Sequence, residues 1–186
     1  MSKRGWLFVF EGIDGTGKST QCSKMEEYLD SKEVPCVHLR EPTNGVWGQK
    51  IRKILTVGRA NVTHEEELSW FIEDRKEDVE KNILPALDQN KVVLLDRYYY
   101  STAAYQGALG FNPDSIINDN EIFAPVPDRA YIFSATPKEC LARIEKSREM
   151  KSSFEKLEYL QSVQKIFDTF VKKFDCISRY SRLIDL

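Results

Sequence analysis

The sequence predicts an α/β protein in which helices cover both faces of one five-stranded parallel sheet. Short apolar runs typical of strands alternate with segments whose apolar residues recur at helical spacing. The segment KVVLLD at 91–96 carries four uninterrupted apolar residues, which is typical of a central strand buried on both faces. A glycine-rich turn directly follows the first predicted strand and opens a helix. Together these observations indicate a three-layer architecture.

Local patterns predict the elements of the N-terminal half. The run WLFVF is the first strand, and Met25, Tyr28 and Leu29 recur at helical spacing in the segment that follows the glycine-rich turn. Thr63 is a suitable N-cap for a long helix, which Pro85 is expected to kink. The predicted elements here are strands at 6–10, 34–39 and 91–96 and helices at 18–32, 46–57 and 64–84.

The C-terminal half continues the alternation of strands and helices. Asn112 and Pro113 mark a turn before one helix, and Pro137 suits the first turn of another that reaches about residue 149. Apolar residues form one stripe along 154–174, which predicts a long amphipathic helix. The remaining predicted elements are a helix at 98–108 and strands at 129–133 and 180–186.

Composition is that of an ordinary soluble globular protein. The 186 residues suit a single domain, 1–186, and 41% of them are hydrophobic. The formal net charge is −2, so bulk charge does not favour a nucleic-acid partner. No apolar run approaches the length of a membrane span, and the four cysteines lie scattered without metal-ligand spacing. We therefore expect a cytoplasmic protein that binds neither nucleic acid nor membrane.

A phosphate-binding loop follows the first strand. The segment GIDGTGKS at 12–19 fits G-x-x-x-x-G-K-[ST] and lies between a predicted strand and a predicted helix, as that motif requires. Lys18 is expected to reach the terminal phosphates of ATP, and Ser19 to ligate Mg²⁺ together with Asp96, which ends the central strand. The sequence thus predicts a P-loop NTPase fold. The residues expected around the ATP phosphates are Gly12, Ile13, Asp14, Gly15, Thr16, Gly17, Lys18, Ser19 and Thr20.

Among phosphate-loop proteins, the sequence favours a small kinase. GTPases read guanine with N-K-x-D and transporter ATPases carry L-S-G-G-Q, and both motifs are absent from the sequence. A kinase must place a second substrate beside ATP. Phe71 and Arg75 stand four residues apart on one predicted helix face, where a ring can stack on a nucleobase and a guanidinium can bond its carbonyl. The alternative is that Phe71 packs in the core and Arg75 is a solvated surface charge.

Five motifs in order resemble the thymidylate kinase family. They are EGIDGTGKST, REPT, the F-x-x-D-R of WFIEDR, LLDRYYYSTAAYQG and the late SFE, and they cover the chain from Phe8 to about Phe174. The resemblance implies transfer of the γ-phosphate of ATP to dTMP, giving dTDP and ADP. It also implies a homodimer joined through helices on one flank of the sheet.

The same resemblance implies roles for individual residues. Phe71 would stack on thymine, Arg75 would bond a thymine carbonyl, and Asp14 would meet the deoxyribose 3′-hydroxyl. Arg97 would contact the acceptor and transferring phosphates, and Tyr105 would crowd the 2′ position. Lys18, Arg97 and Asp14 would thus be catalytic. The residues implied for dTMP are Asp14, Arg40, Phe71, Arg75, Arg97, Ser101, Tyr105 and Gln106.

A basic segment at about 143–153 resembles the lid of related kinases. The family places a catalytic arginine either in the phosphate loop or in the lid, and the loop here contains no arginine. The resemblance therefore implies a lid arginine, with Arg148 as the first choice and Arg143 as the second.

Two departures from the family pattern leave other functions open. The chain has REPTNG where many bacterial relatives have REPGGT, and SSFE where many have DRFE. One alternative is a kinase for another nucleoside monophosphate such as dUMP, because the thymine methyl group contributes only ~1–3 kcal/mol to discrimination. The other is a non-catalytic nucleotide sensor.

Overall fold

Five parallel strands form the central sheet of the computed structural model, which describes residues 4–59, 61–145 and 153–180. The strand order is β2-β3-β1-β4-β5, and every neighbouring pair is parallel. This confirms the predicted sheet. The strands are β1 Trp6–Glu11, β2 Cys36–Arg40, β3 Val92–Asp96, β4 Arg129–Phe133 and β5 Ile177–Tyr180.

Helices follow most strands, close to the predicted positions. Thr63 caps the third helix: its hydroxyl accepts a hydrogen bond from the Glu66 amide, and the Glu66 carboxylate accepts one from the Thr63 amide. The helices are α1 Lys18–Ser31, α2 Val46–Val57, α3 His64–Asp78, α4 Leu84–Asp88, α5 Tyr99–Gly107, α6 Pro113–Glu121, α7 Pro137–Glu145 and α8 Ser153–Lys173. No helix among the described residues is both long enough and apolar enough to cross a membrane.

Alternating residues of β1 face two different cores. Leu7 and Val9 pack into the larger core with side chains of α5, α6 and α8. Phe8 and Phe10 contribute to a smaller core that includes Cys22 of α1. Strand β3 is buried at every position, as its apolar run predicted. Helices therefore cover both faces of the sheet.

Two segments differ from the prediction. A π-helical turn, Val79–Ile83, separates α3 from α4 and ends two residues before Pro85. Proline has no N–H and clashes with the carbonyl four residues earlier in a regular helix, and the wider turn relieves both problems. The fifth strand was expected at 180–186 but begins at Ile177, where it pairs with Ala130 of β4. Residues 181–186 lie outside the described part of the chain.

Candidate active site

The phosphate loop connects β1 to α1, and its backbone requires glycine. Gly12 and Gly15 have φ values of 132° and 85°, which L side chains rarely adopt. A Cβ atom at Gly12 would lie 2.4 Å from the Phe133 carbonyl oxygen, and one at Gly15 would lie 2.6 Å from that of Cys140. The loop ends at the N-terminus of α1, whose amides and dipole attract anions.

Lys18 is held inside this loop with only 4% of its surface exposed. Its Nζ lies 3.4 Å from the Ile13 carbonyl oxygen and 3.6 Å from Asp14 Oδ1. Burial, together with the nearby positive charge of Arg97, lowers the pKa of Lys18 to about 8, and nearby carboxylates only partly offset this. A phosphate group in the loop would supply the negative charge that favours the protonated lysine.

Ser19 and Asp96 meet beside Lys18, as the sequence predicted. Ser19 Oγ donates a hydrogen bond to Asp96 Oδ2 at 2.5 Å. The other carboxylate oxygen, Oδ1, is buried and has no hydrogen-bond partner among the described residues. Mg²⁺ prefers oxygen ligands and usually binds through one or two carboxylates plus substrate phosphates. The two side chains therefore fit that ion.

Arg97 joins the phosphate loop to α5. It follows β3 with a φ of 74°, and its NH2 donates a 2.7 Å hydrogen bond to Asp14 Oδ1. Its NH1 donates to Ser101 Oγ at 3.0 Å, and the guanidinium lies 5.3 Å from the centre of the Tyr105 ring. The structure thus brings together Asp14, Arg97, Ser101 and Tyr105, which lie in two distant segments of the sequence.

Arg75 is buried rather than solvated. Only 1% of it is exposed, and the guanidinium donates to Asn120 Oδ1 at 2.7 Å, to Thr102 Oγ1 at 3.0 Å and to Glu41 Oε2. Its Nε is buried and has no hydrogen-bond partner among the described residues. Phe71 lies half-buried on the same helix.

The remaining predicted acceptor residues lie at the same edge of the sheet. Tyr105 OH and Gln106 Oε1 on α5 are buried and lack hydrogen-bond partners among residues 4–59, 61–145 and 153–180. Arg40 ends β2, is largely exposed, and has its Nε 3.8 Å from Asp96 Oδ2. Carboxyl ends of parallel strands are where ligands of such sheets bind.

The lid prediction is only partly covered by the described residues. Arg143 lies at the end of α7, where its NH1 donates a 3.0 Å hydrogen bond to the Gly15 carbonyl oxygen of the phosphate loop. Arg148 and the rest of segment 146–152 lie outside the described residues.

Sequence reasoning missed Glu11, the last residue of β1. Its carboxylate is fully buried and accepts hydrogen bonds from the amides of Tyr98 and Ser101 and from the Ser101 hydroxyl. Burial raises the pKa of Glu11 to about 7. A carboxylate that ends an apolar strand drew attention at Asp96, and the same signal is present at Glu11.

Fold and site together place the chain among the phosphate-loop kinases of nucleoside monophosphates. A family model described as "Thymidylate kinase" matches residues 10–179. The thymidylate kinase of Desulfotalea psychrophila is 49% identical over 166 residues, which are 89% of this chain and 81% of that protein. That of Akkermansia muciniphila is 44% identical over 89% of this chain and 79% of its own.

A solved structure agrees with the sequence relatives. The crystal structure of thymidylate kinase from Ehrlichia chaffeensis matches with a TM-score of 0.77 and 28% identity, covering 98% of this chain and 91% of that one. The chain belongs to the thymidylate kinase family.

Proposed function

We propose that the protein is a thymidylate kinase that transfers the γ-phosphoryl group of ATP to dTMP, giving dTDP and ADP. One observation carries this proposal: the guanidinium of Arg97 contacts Asp14 of the phosphate loop and Ser101 of α5 at once. ATP held on the phosphate loop and dTMP held beside α5 would then both face the Arg97 guanidinium.

The reaction needs charge neutralisation more than acid–base chemistry. The attacking atom is a phosphate oxygen of dTMP that is already ionised at neutral pH. It forms the new bond to the γ-phosphorus as the bond to the ADP oxygen breaks, so no proton has to be removed. Repulsion between two polyanions is the obstacle, and Lys18, Arg97 and the loop amides would reduce it. Mg²⁺ held by Ser19 and Asp96 would add positive charge beside the donor phosphates.

The acceptor pocket has chemistry suited to a pyrimidine. We propose that Phe71 stacks on the base and that Arg75 bonds a thymine carbonyl, while Glu41, Thr102 and Asn120 hold the guanidinium. The further dTMP contacts in this proposal are those of Asp14, Arg40, Arg97, Ser101, Tyr105 and Gln106.

We also propose that a lid arginine completes the charge compensation. The Arg143 contact with Gly15 supports a position next to the donor phosphates, and Arg148 remains the first choice by family resemblance. Single-turnover transfer should slow in Arg148→Ala, in Arg143→Ala or in both. Full rates in both variants would remove the lid arginine from the mechanism.

Assembly and location are proposals as well. Val46 and Val57, exposed on one side of α2, support a homodimer formed through helices at the flank of the sheet. All four cysteines are free thiols, which supports a reducing compartment such as the cytoplasm. Size-exclusion chromatography with light scattering would measure the mass directly, and a monomeric mass would rule out the dimer.

A panel of nucleoside monophosphates tests the proposed function. ADP release is measured with ATP, Mg²⁺ and each monophosphate in turn, and kcat/KM is expected to be highest for dTMP. Lys18→Ala should lower kcat at least about 100-fold while the far-UV circular dichroism stays unchanged, because the charge is lost but the loop is kept. The matched control is Lys172→Ala, since Lys172 is exposed at the far end of α8.

The panel also separates the alternatives. A maximum with dUMP or another base would contradict dTMP as the substrate and leave a phosphate-loop kinase. If none of the monophosphates supports ADP release, the result would favour a non-catalytic nucleotide sensor. Normal turnover by a folded Lys18→Ala variant would refute the role of that lysine.

A further inference from the structure

The two carboxylate oxygens of Glu11 have different partners. Oε1 accepts hydrogen bonds from the amides of Tyr98 and Ser101, at 2.9 and 3.1 Å, and so caps the N-terminus of α5. Oε2 accepts one from the hydroxyl of Ser101. One oxygen therefore holds backbone, and the other holds a side chain.

The Ser101 hydroxyl connects Glu11 to Arg97 by hydrogen bonds. While Glu11 is ionised, the serine hydrogen points to its Oε2, which leaves the serine lone pairs to accept, and Arg97 NH1 donates to them at 3.0 Å. Arg97 also donates to the Gly12 carbonyl oxygen, at 3.5 Å, and to Asp14, whose side chain is 60% exposed. Ser101 is only 7% exposed, so its hydrogen bond to Arg97 is better shielded from water than that of Asp14.

We propose that Glu11 is a positioning residue for phosphoryl transfer, which acts through the Ser101 hydroxyl to hold the Arg97 guanidinium toward the phosphate loop. The inference rests on the proposed role of Arg97 at the transferring phosphate. It assigns Glu11 no contact with either substrate, because the carboxylate is fully buried behind Ser101.

The variant Glu11→Gln distinguishes the role of Glu11 in capping α5 from its proposed role in positioning Arg97. In Glu11→Gln the remaining oxygen can still accept from both amides, so the cap on α5 is kept. The new NH2 group must instead donate to Ser101 Oγ, where it occupies one of the two lone pairs, and the serine hydrogen loses its acceptor. The serine hydrogen is then free to turn toward the guanidinium, where two donors would face each other.

The first measurement is steady-state kinetics of Glu11→Gln. We expect kcat to fall at least about tenfold while the KM for ATP changes by less than about twofold. The melting temperature should not fall below that of the matched control Glu67→Gln. Glu67 is also buried and paired with an arginine, Arg59, and this variant should keep kcat. A normal kcat in folded Glu11→Gln overturns the inference.

The second measurement places the same substitution in an Arg97→Ala background. If Glu11 acts through Arg97, adding Glu11→Gln there should leave kcat unchanged. If Glu11→Gln lowers kcat in the Arg97→Ala background by the same factor as in the wild-type protein, Glu11 does not act through Arg97 and the inference is overturned. Full kcat in Arg97→Ala alone would refute both the Arg97 role and this inference, whereas impaired Arg97→Ala beside normal Glu11→Gln would refute the inference alone.

Ser101→Ala supplies a second route if Glu11→Gln does not fold, with kcat measured at saturating dTMP because Ser101 is also a proposed dTMP contact. It removes the hydroxyl between Glu11 and Arg97 but leaves the Ser101 amide to donate to Oε1. We expect kcat to fall by a similar factor, with the KM for ATP unchanged. Wild-type kcat in Ser101→Ala would overturn the inference.

Discussion

Lys18 is nearly removed from solvent although it carries the charge that a nucleotide needs. The cost of burial shows in its pKa, which lies at about 8 rather than near 10.5. The sign of the effect follows directly. Above about pH 8 the free protein holds Lys18 largely neutral, and a bound phosphate favours the charged form and raises the pKa again.

Nucleotide binding should therefore take up a proton in alkaline buffer. At about pH 9 the phosphates of ATP are fully ionised, so uptake of up to one proton is assigned to Lys18. Calorimetric titration in two buffers of different ionisation enthalpy measures it. Lys172→Ala should retain the uptake and Lys18→Met should lose it. Equal heats in both buffers for the wild-type protein would contradict the lowered pKa.

Individual residues differ in how far sequence reveals them. Lys18, Ser19 and Asp96 follow from a local motif and a strand end, and the structure brings them together as expected. Glu11 carries the same strand-end signal as Asp96 and was overlooked, whereas its partnership with Ser101, 90 positions away, has no local signal. The burial of Arg75 depends on Asn120 and Glu41, 45 and 34 positions away, so no local pattern shows it.

At the scale of elements, α3 shows how well local chemistry sets a helix start. Thr63 was expected as its N-cap, and the structure adds the reciprocal hydrogen bond of Glu66 that completes a capping box. The end of the same helical stretch was less predictable, because a π-helical turn replaces a simple kink before Pro85. The fifth strand begins three residues earlier than predicted, because its start depends on pairing with β4 rather than on its own apolar pattern.

Removing the cap should destabilise the protein without affecting catalysis. Thr63→Ala is expected to lower the free energy of unfolding by about 1 kcal/mol, since the Glu66 amide loses its acceptor. Urea denaturation measures the change. Thr56→Ala is the control, because the Thr56 hydroxyl only bonds the Arg52 carbonyl one turn back in α2. Equal stability of the two variants would contradict a stabilising cap at Thr63.

On the scale of the whole molecule, the proposed acceptor pocket draws on α3, α5 and the phosphate loop together. A ligand that contacts all three opposes unfolding of the whole chain. Saturation with dTMP at 100 times its Kd should add about 2.7 kcal/mol to the free energy of unfolding. Thermal unfolding with and without dTMP measures this gain.

One aromatic ring should carry much of that gain. Phe71→Ala is expected to lose most of the dTMP-dependent stabilisation at the same ligand concentration, because stacking on the base is lost. Tyr28→Ala on α1 is the control, since this ring is 58% exposed and lies on another helix. Full stabilisation of Phe71→Ala would remove Phe71 from the pocket.

The sheet register has a consequence for any partly folded form. Phe10 of β1 and Arg40 of β2 both pair with Asp96 of β3, so residues far apart in the chain meet on one level. A slip by one residue would turn each of these side chains to the opposite face. A chain with misaligned strands would therefore lack activity, so measurable turnover indicates that the strands have their native register.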